Sequence, residues 1–127
     1  MISMVGEGKL LKCKICGSVL EKLVQGPETA NCDDLEELTP KYDGEGSQKH
    51  VPILERDGDN VIIKVGEITH PMEVEHQICF IELIDEDVTY RKTLKPGEEP
   101  KAVFKVETDI NKLKTREYCN VHGLWEA

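Results

Sequence analysis

Apolar and polar residues alternate in short blocks along the second half of the chain, and turn formers separate the blocks. Val51–Arg56 reads as a strand, Asp57-Gly58-Asp59-Asn60 as a turn, and Val61–Val65 as a second strand. His76–Asp85 is apolar on both faces through Ile78, Cys79, Phe80, Ile81 and Leu83. Such a strand is expected to be buried on both sides, one facing the core and the other a partner subunit. Val88–Leu94 follows, then the turn Lys95–Pro100, then Ala102–Val106, with Arg116–Tyr118 and Gly123–Trp125 closing the set. About seven short strands with frequent turns predict an all-β chain folded as an antiparallel sandwich.

The pattern changes near residue 40. Residues 9–38 hold Cys13, Cys16 and Cys32 and no histidine, whereas all four histidines and the other two cysteines lie beyond residue 49. Thr39–Lys49, rich in glycine and turn formers, reads as a linker. The expected organisation is a small domain at 1–38 and a larger one at 39–127. A piece as small as the first cannot build an adequate core of its own; below about 40 residues a metal, disulfides or a partner usually substitutes for one.

Composition narrows the function. Of 127 residues, 32% are charged and 39% hydrophobic, which suits a globular fold. A formal net charge of -9 argues against nucleic acid or an anionic membrane as a partner. No apolar run approaches the ~20 residues of a membrane span, and Met1–Cys13 holds no signal-peptide core. A soluble cytoplasmic protein is expected. Five cysteines, an odd number, then point to metal or redox chemistry rather than to a disulfide framework.

The histidines carry that chemistry. His50 stands just ahead of a strand, His70 and His76 bracket the loop His-Pro-Met-Glu-Val-Glu-His, and Cys119 and His122 form Cys-Asn-Val-His. Each lies at a strand edge or in a loop, so the five can converge on one end of a sandwich. Imidazole alone does not choose among iron, copper, zinc and nickel. Five candidates exceed the four ligands usual for zinc and suggest a larger shell with one open position. A thiolate donates strongly to iron and pushes electron density toward whatever binds opposite. On residues alone the reading is a mononuclear redox metal. Cys79 is expected to be a core thiol, Glu73 and Glu75 to be solvated, Tyr118 and Trp125 to serve packing, and Pro71 to stiffen the turn presenting His70.

Lys49–Ile53 (Lys-His-Val-Pro-Ile), His70–His76 and Glu117–Trp125 (Glu-Tyr-Cys-Asn-Val-His-Gly-Leu-Trp) resemble, in the same order, the superoxide reductases of the desulfoferrodoxin and neelaredoxin family. Cys13-Lys-Ile-Cys16 resembles the family's desulforedoxin-like N-terminal domain. The resemblance implies a seven-stranded immunoglobulin-like sandwich with a mononuclear non-haem iron on His50, His70, His76, His122 and Cys119, the sulfur axial. It implies one-electron reduction of superoxide to hydrogen peroxide, a rubredoxin-like electron donor and a homodimer or homotetramer. Lys49, beside a ligand, would attract superoxide and order a proton-donating water.

Two departures stand out. The family often has glutamate where this chain has Gln48; a neutral amide is a poorer ligand for ferric iron, and Glu45, three residues earlier, is the alternative carboxylate. The desulforedoxin-like site needs four cysteines, and here Cys32-Asp33 replaces the expected pair. Cys13, Cys16 and Cys32 with Asp33 can hold a second iron or zinc, or the site is degenerate, with a Cys13–Cys16 disulfide or free thiols. For the main site, a non-catalytic iron carrier and a structural metal module stay open beside the reductase.

Overall fold

A computed structural model describes residues 5–27 and 32–127. Residues 1–4, part of the stretch read as lacking a signal peptide, lie outside it. The chain divides into two compact units, Met1–Thr39 and Pro40–Ala127.

The first unit is an antiparallel sheet in which β1 (Val5–Cys13) lies between β2 (Val19–Val24) and β3 (Leu35–Glu37). Among its described residues Leu10 is the buried apolar side chain, while Leu20, Leu23 and Val24 are exposed. One buried leucine contributes only about 1.5–3 kcal/mol, in line with the poor core expected of so short a piece. A tight turn follows β1. The Gly17 N–H donates to the Cys13 carbonyl at 2.8 Å, and Gly17 takes φ 79°, a left-handed value that glycine adopts freely.

The second unit opens with one helical turn, α1 (Ser47–His50), and continues through β4 (Pro52–Asp57), β5 (Asn60–Val65), β6 (Ile78–Asp85), β7 (Val88–Thr93), β8 (Lys101–Lys105), β9 (Lys114–Cys119) and β10 (Gly123–Glu126). One sheet has the order β4-β5-β8 and the other β10-β9-β6-β7. Between them Val61, Ile63 and Val65 of the first sheet meet Ile78, Ile81, Leu83 and Cys119 of the second. The alternation along β5 puts every second residue into this core, as the two-residue period of a strand requires.

Strand β6 departs from the simple pattern. Its register against β9 shifts between Ile78 and Phe80, a bulge at Cys79. Ile78 and Ile81 therefore both reach the core although they are three apart, and Cys79 is only half-buried, with its sulfur 3.9 Å from the Gln77 carbonyl. The expected core thiol is thus not a core residue. Nor is the other face of β6 simply apolar. Glu82, fully buried, is paired with Arg91 and Arg116, and Phe80 stacks on Tyr118 with ring centroids 5.8 Å apart.

Candidate metal centre

Four separate segments bring the five candidate ligands to one end of the sandwich. Their donor atoms all lie within 4.8 Å of one another. Among the described residues Cys13, Cys16 and Cys32 are not gathered into a comparable group.

Each ligand is set by local structure. Gly46 adopts φ 86° ahead of α1, and its carbonyl accepts the Nδ1 hydrogen of His50 at 2.8 Å. The Pro71 carbonyl takes the Nδ1 hydrogen of His70 at 2.7 Å, so the expected turn-stiffening residue also orients the ligand before it. His76 closes a small turn through paired backbone bonds with Glu73. Cys119 ends β9, and His122 lies in the three-residue turn to Gly123, whose φ of 87° lets β10 return.

Carbonyl oxygens only accept, so the Nδ1 of His50 and of His70 must hold the ring proton and each Nε2 must present a lone pair. Those two Nε2 atoms lie 3.1 Å apart. Two lone pairs cannot hydrogen-bond to each other, and a shared cation resolves the conflict: two ligands at about 2.1 Å and right angles on one ion sit about 3 Å apart. The Nε2 of His76 is buried with no hydrogen-bond partner. Cys119 Sγ lies 3.5 Å from His70 Nε2 and 3.8 Å from His122 Nδ1. These donors fit a bound metal ion, and a thiolate with four imidazoles fits iron.

The electrostatics of His50 and His70 favour the neutral imidazole form. Burial lowers the pKa of His70 to about 4 and lowers that of His50 as well. Burial raises the Cys119 thiol, and backbone N–H groups of His122 and Val121 oppose that rise by hydrogen-bonding the sulfur; the His122 contact is 3.4 Å.

A cleft of ≈ 860 Å³ opens over the site. All four histidines line it and Cys119, fully buried, does not. Lys49, Gln48 and Glu45 also line it. A ligand arriving from solvent therefore meets the imidazoles and lysine, with the sulfur on the protein side.

Several supporting residues escaped the sequence reading. Trp125, taken as packing, stacks on His50 at 4.9 Å and 17° and donates its indole N–H to the His122 carbonyl. Asn120 accepts from the Gln77 N–H at 2.9 Å and donates to the Glu75 carbonyl at 3.1 Å, tying the His76 loop to the Cys119–His122 turn. Gly66 lies so close to α1 that a Cβ there would stand 2.8 Å from the Gln48 carbonyl oxygen. Only the position of Asn120 inside Cys-Asn-Val-His hinted at its role.

The comparisons agree with this geometry. The desulfoferrodoxin family model matches residues 43–127. A desulfoferrodoxin homologue of Archaeoglobus fulgidus is 43% identical over 121 residues, covering 94% of this chain and 95% of its own. A superoxide reductase of Pyrococcus horikoshii is 40% identical over 96 residues, covering 62% and 84%. The crystal structure of the superoxide reductase from Treponema pallidum superposes with a TM-score of 0.72 at 27% identity, covering 94% and 95%. The fold and site thus define a β-sandwich protein with a four-histidine, one-cysteine centre. The chain belongs to the desulfoferrodoxin family.

Proposed function

We propose that this protein is a superoxide reductase, converting superoxide to hydrogen peroxide by one-electron reduction at a mononuclear non-haem iron held by His50, His70, His76, His122 and Cys119. The observation that carries the reading is the pair of facing lone pairs on His50 and His70, set above a buried thiol and open to a cleft. Bound iron would supply the electron and a cationic point of attachment for an anionic substrate.

The chain's own groups do the rest. The imidazoles of His50 and His70, whose pKa values burial lowers, need lose no proton to serve as ligands. The buried sulfur of Cys119 stays out of the cleft, and its amide hydrogen bonds moderate how strongly it donates. Lys49, exposed beside His50, provides positive charge to attract superoxide and a donor to order a water that delivers protons. Gln48 offers a neutral amide where a carboxylate is common, and Glu45 supplies the cleft's carboxylate.

A rubredoxin-like electron donor, a homodimeric or homotetrameric assembly and a cytoplasmic setting complete the proposal, on the strength of family membership. Among the described residues no helix is long and apolar enough to cross a membrane.

The test combines metal counting with product analysis on protein purified anaerobically. One iron per chain, with one hydrogen peroxide formed per superoxide consumed and no dioxygen, is expected. Zinc alone with no consumption of superoxide would overturn the reading in favour of a structural module, and iron that never turns over with a donor would indicate a carrier. The same count decides the N-terminal unit, because a second metal ion would place Cys13, Cys16 and Cys32 in use.

A further inference from the structure

Lys41 stands on the wall of the same cleft, and nothing in the ligand set accounts for it. Its backbone is fixed alongside β10: its N–H donates to the Leu124 carbonyl at 2.9 Å, and its own carbonyl accepts from Glu126 at 2.8 Å. Its ammonium donates to the His122 carbonyl at 3.1 Å and lies 5.3 Å from the centre of the Trp125 ring. That carbonyl also accepts the Trp125 indole N–H. The loop carrying one candidate ligand is therefore pinned by two donors, one of them charged. A lysine on an open surface roams through many rotamers, whereas this one is held by a carbonyl and an aromatic face together.

The placement of charge matters because the protein carries a net -9 and superoxide is an anion. Histidines aside, the charged residues lining the cleft are Lys41, Lys49 and Glu45, so the local balance is positive where the overall one is strongly negative. Through the His122 carbonyl the ammonium of Lys41 is also held against the backbone of a candidate ligand. Cationic clefts of this kind speed capture of anions in a salt-dependent way.

We propose that Lys41 is a second cation for the incoming superoxide and a positioning residue for His122, its anchored charge acting both on the substrate's approach and on the metal centre. The inference rests on the reading of superoxide as the substrate.

The test uses the full-length iron-loaded protein with Lys41→Met, which removes the charge but keeps an unbranched side chain, and Lys41→Arg, which keeps the charge. The second-order rate constant with pulse-generated superoxide is measured from low to high ionic strength, together with the midpoint potential of the centre. Lys41→Met should react roughly threefold or more slowly at low salt, with a flatter salt dependence. Its potential should fall, because removing a nearby cation favours the more oxidised metal. Lys41→Arg should retain the rate, the salt dependence and the potential. Wild-type values for all three in Lys41→Met would overturn the proposal. So would an equal slowing at every ionic strength with a lowered melting temperature, which marks a scaffold residue. If the unmodified protein consumes no superoxide, the substrate reading itself fails, and the potential of Lys41→Met alone then decides whether this charge acts on the centre.

Discussion

The Nε2 atoms of His50 and His70 face each other at 3.1 Å, and neither carries a proton to share, because each ring has committed its single hydrogen to a carbonyl through Nδ1. The arrangement is preorganised for a cation. Burial reinforces it by lowering both imidazole pKa values, so protons compete weakly for those two nitrogens.

Metal binding should release a proton from Cys119. Burial holds that thiol protonated, and a metal must displace the hydrogen to reach the sulfur. Titration of metal-free protein with a divalent ion near neutral pH is expected to liberate about one proton per ion. Affinity should rise about tenfold per pH unit while the thiol remains protonated. Calorimetry in buffers of differing ionisation enthalpy reads the proton count, and a count of zero would show that the sulfur does not bind.

Glu117 should cost stability as the pH rises. It is fully buried on β9, neither carboxylate oxygen has a partner, and burial raises its pKa from 4.5 to about 9. The folded state holds a proton that the unfolded state gives up above about pH 4.5. Stability is therefore complete below that value and is lost progressively as the pH climbs toward 9. At pH 7 the difference is of order 3 kcal/mol. Glu117→Gln should be the more stable protein at pH 7 and should flatten this part of the profile. Denaturant unfolding at pH 5, 7 and 8.5 checks it; parallel profiles for the two proteins would contradict the assignment.

Gly66→Ala should loosen the site from a distance. The added methyl would sit 2.8 Å from both the Gln48 carbonyl oxygen and the Lys49 carbonyl carbon, inside normal contact. The helical turn carrying Lys49 and His50 must shift, at a cost of roughly 1–3 kcal/mol for overpacking. Lower melting temperature and reduced metal occupancy are expected together. A variant with full occupancy and an unchanged melting temperature would show that α1 is free to move.

Cys16 should be the first of the five thiols to react. It is exposed, and its pKa is lowered to about 7, chiefly by the Ser18 hydroxyl 3.2 Å away. Burial raises those of Cys79 and Cys119 instead. Alkylation followed by peptide mass analysis should find Cys16 modified fastest, with a rate that climbs through pH 7. Protection of Cys16 that is lifted by a chelator would instead reveal a metal held in the N-terminal unit.

The ligand set was legible because histidine is scarce: four residues, all outside the strands, with a Cys-x-x-His among them. The all-β character was legible from alternation such as Val61, Ile63 and Val65. What escaped the reading depends on contacts between distant positions. The bulge at Cys79 appears only when β6 is laid against β9. The ion pairs that bury Glu82 join three strands, and Lys41 meets the His122 carbonyl across 81 residues of sequence. In the first unit Leu10 is the one buried apolar side chain among the described residues of the three strands, which leaves little apolar periodicity to read.

Trp125 is the chain's single tryptophan, and it stacks on one candidate ligand while bonding to the carbonyl of another. The ultraviolet emission of the unlabelled protein therefore comes from the wall of the metal site itself. An absorbing centre so near drains an excited indole, so filling, emptying and changing the oxidation state of the site are all written into the protein's own light.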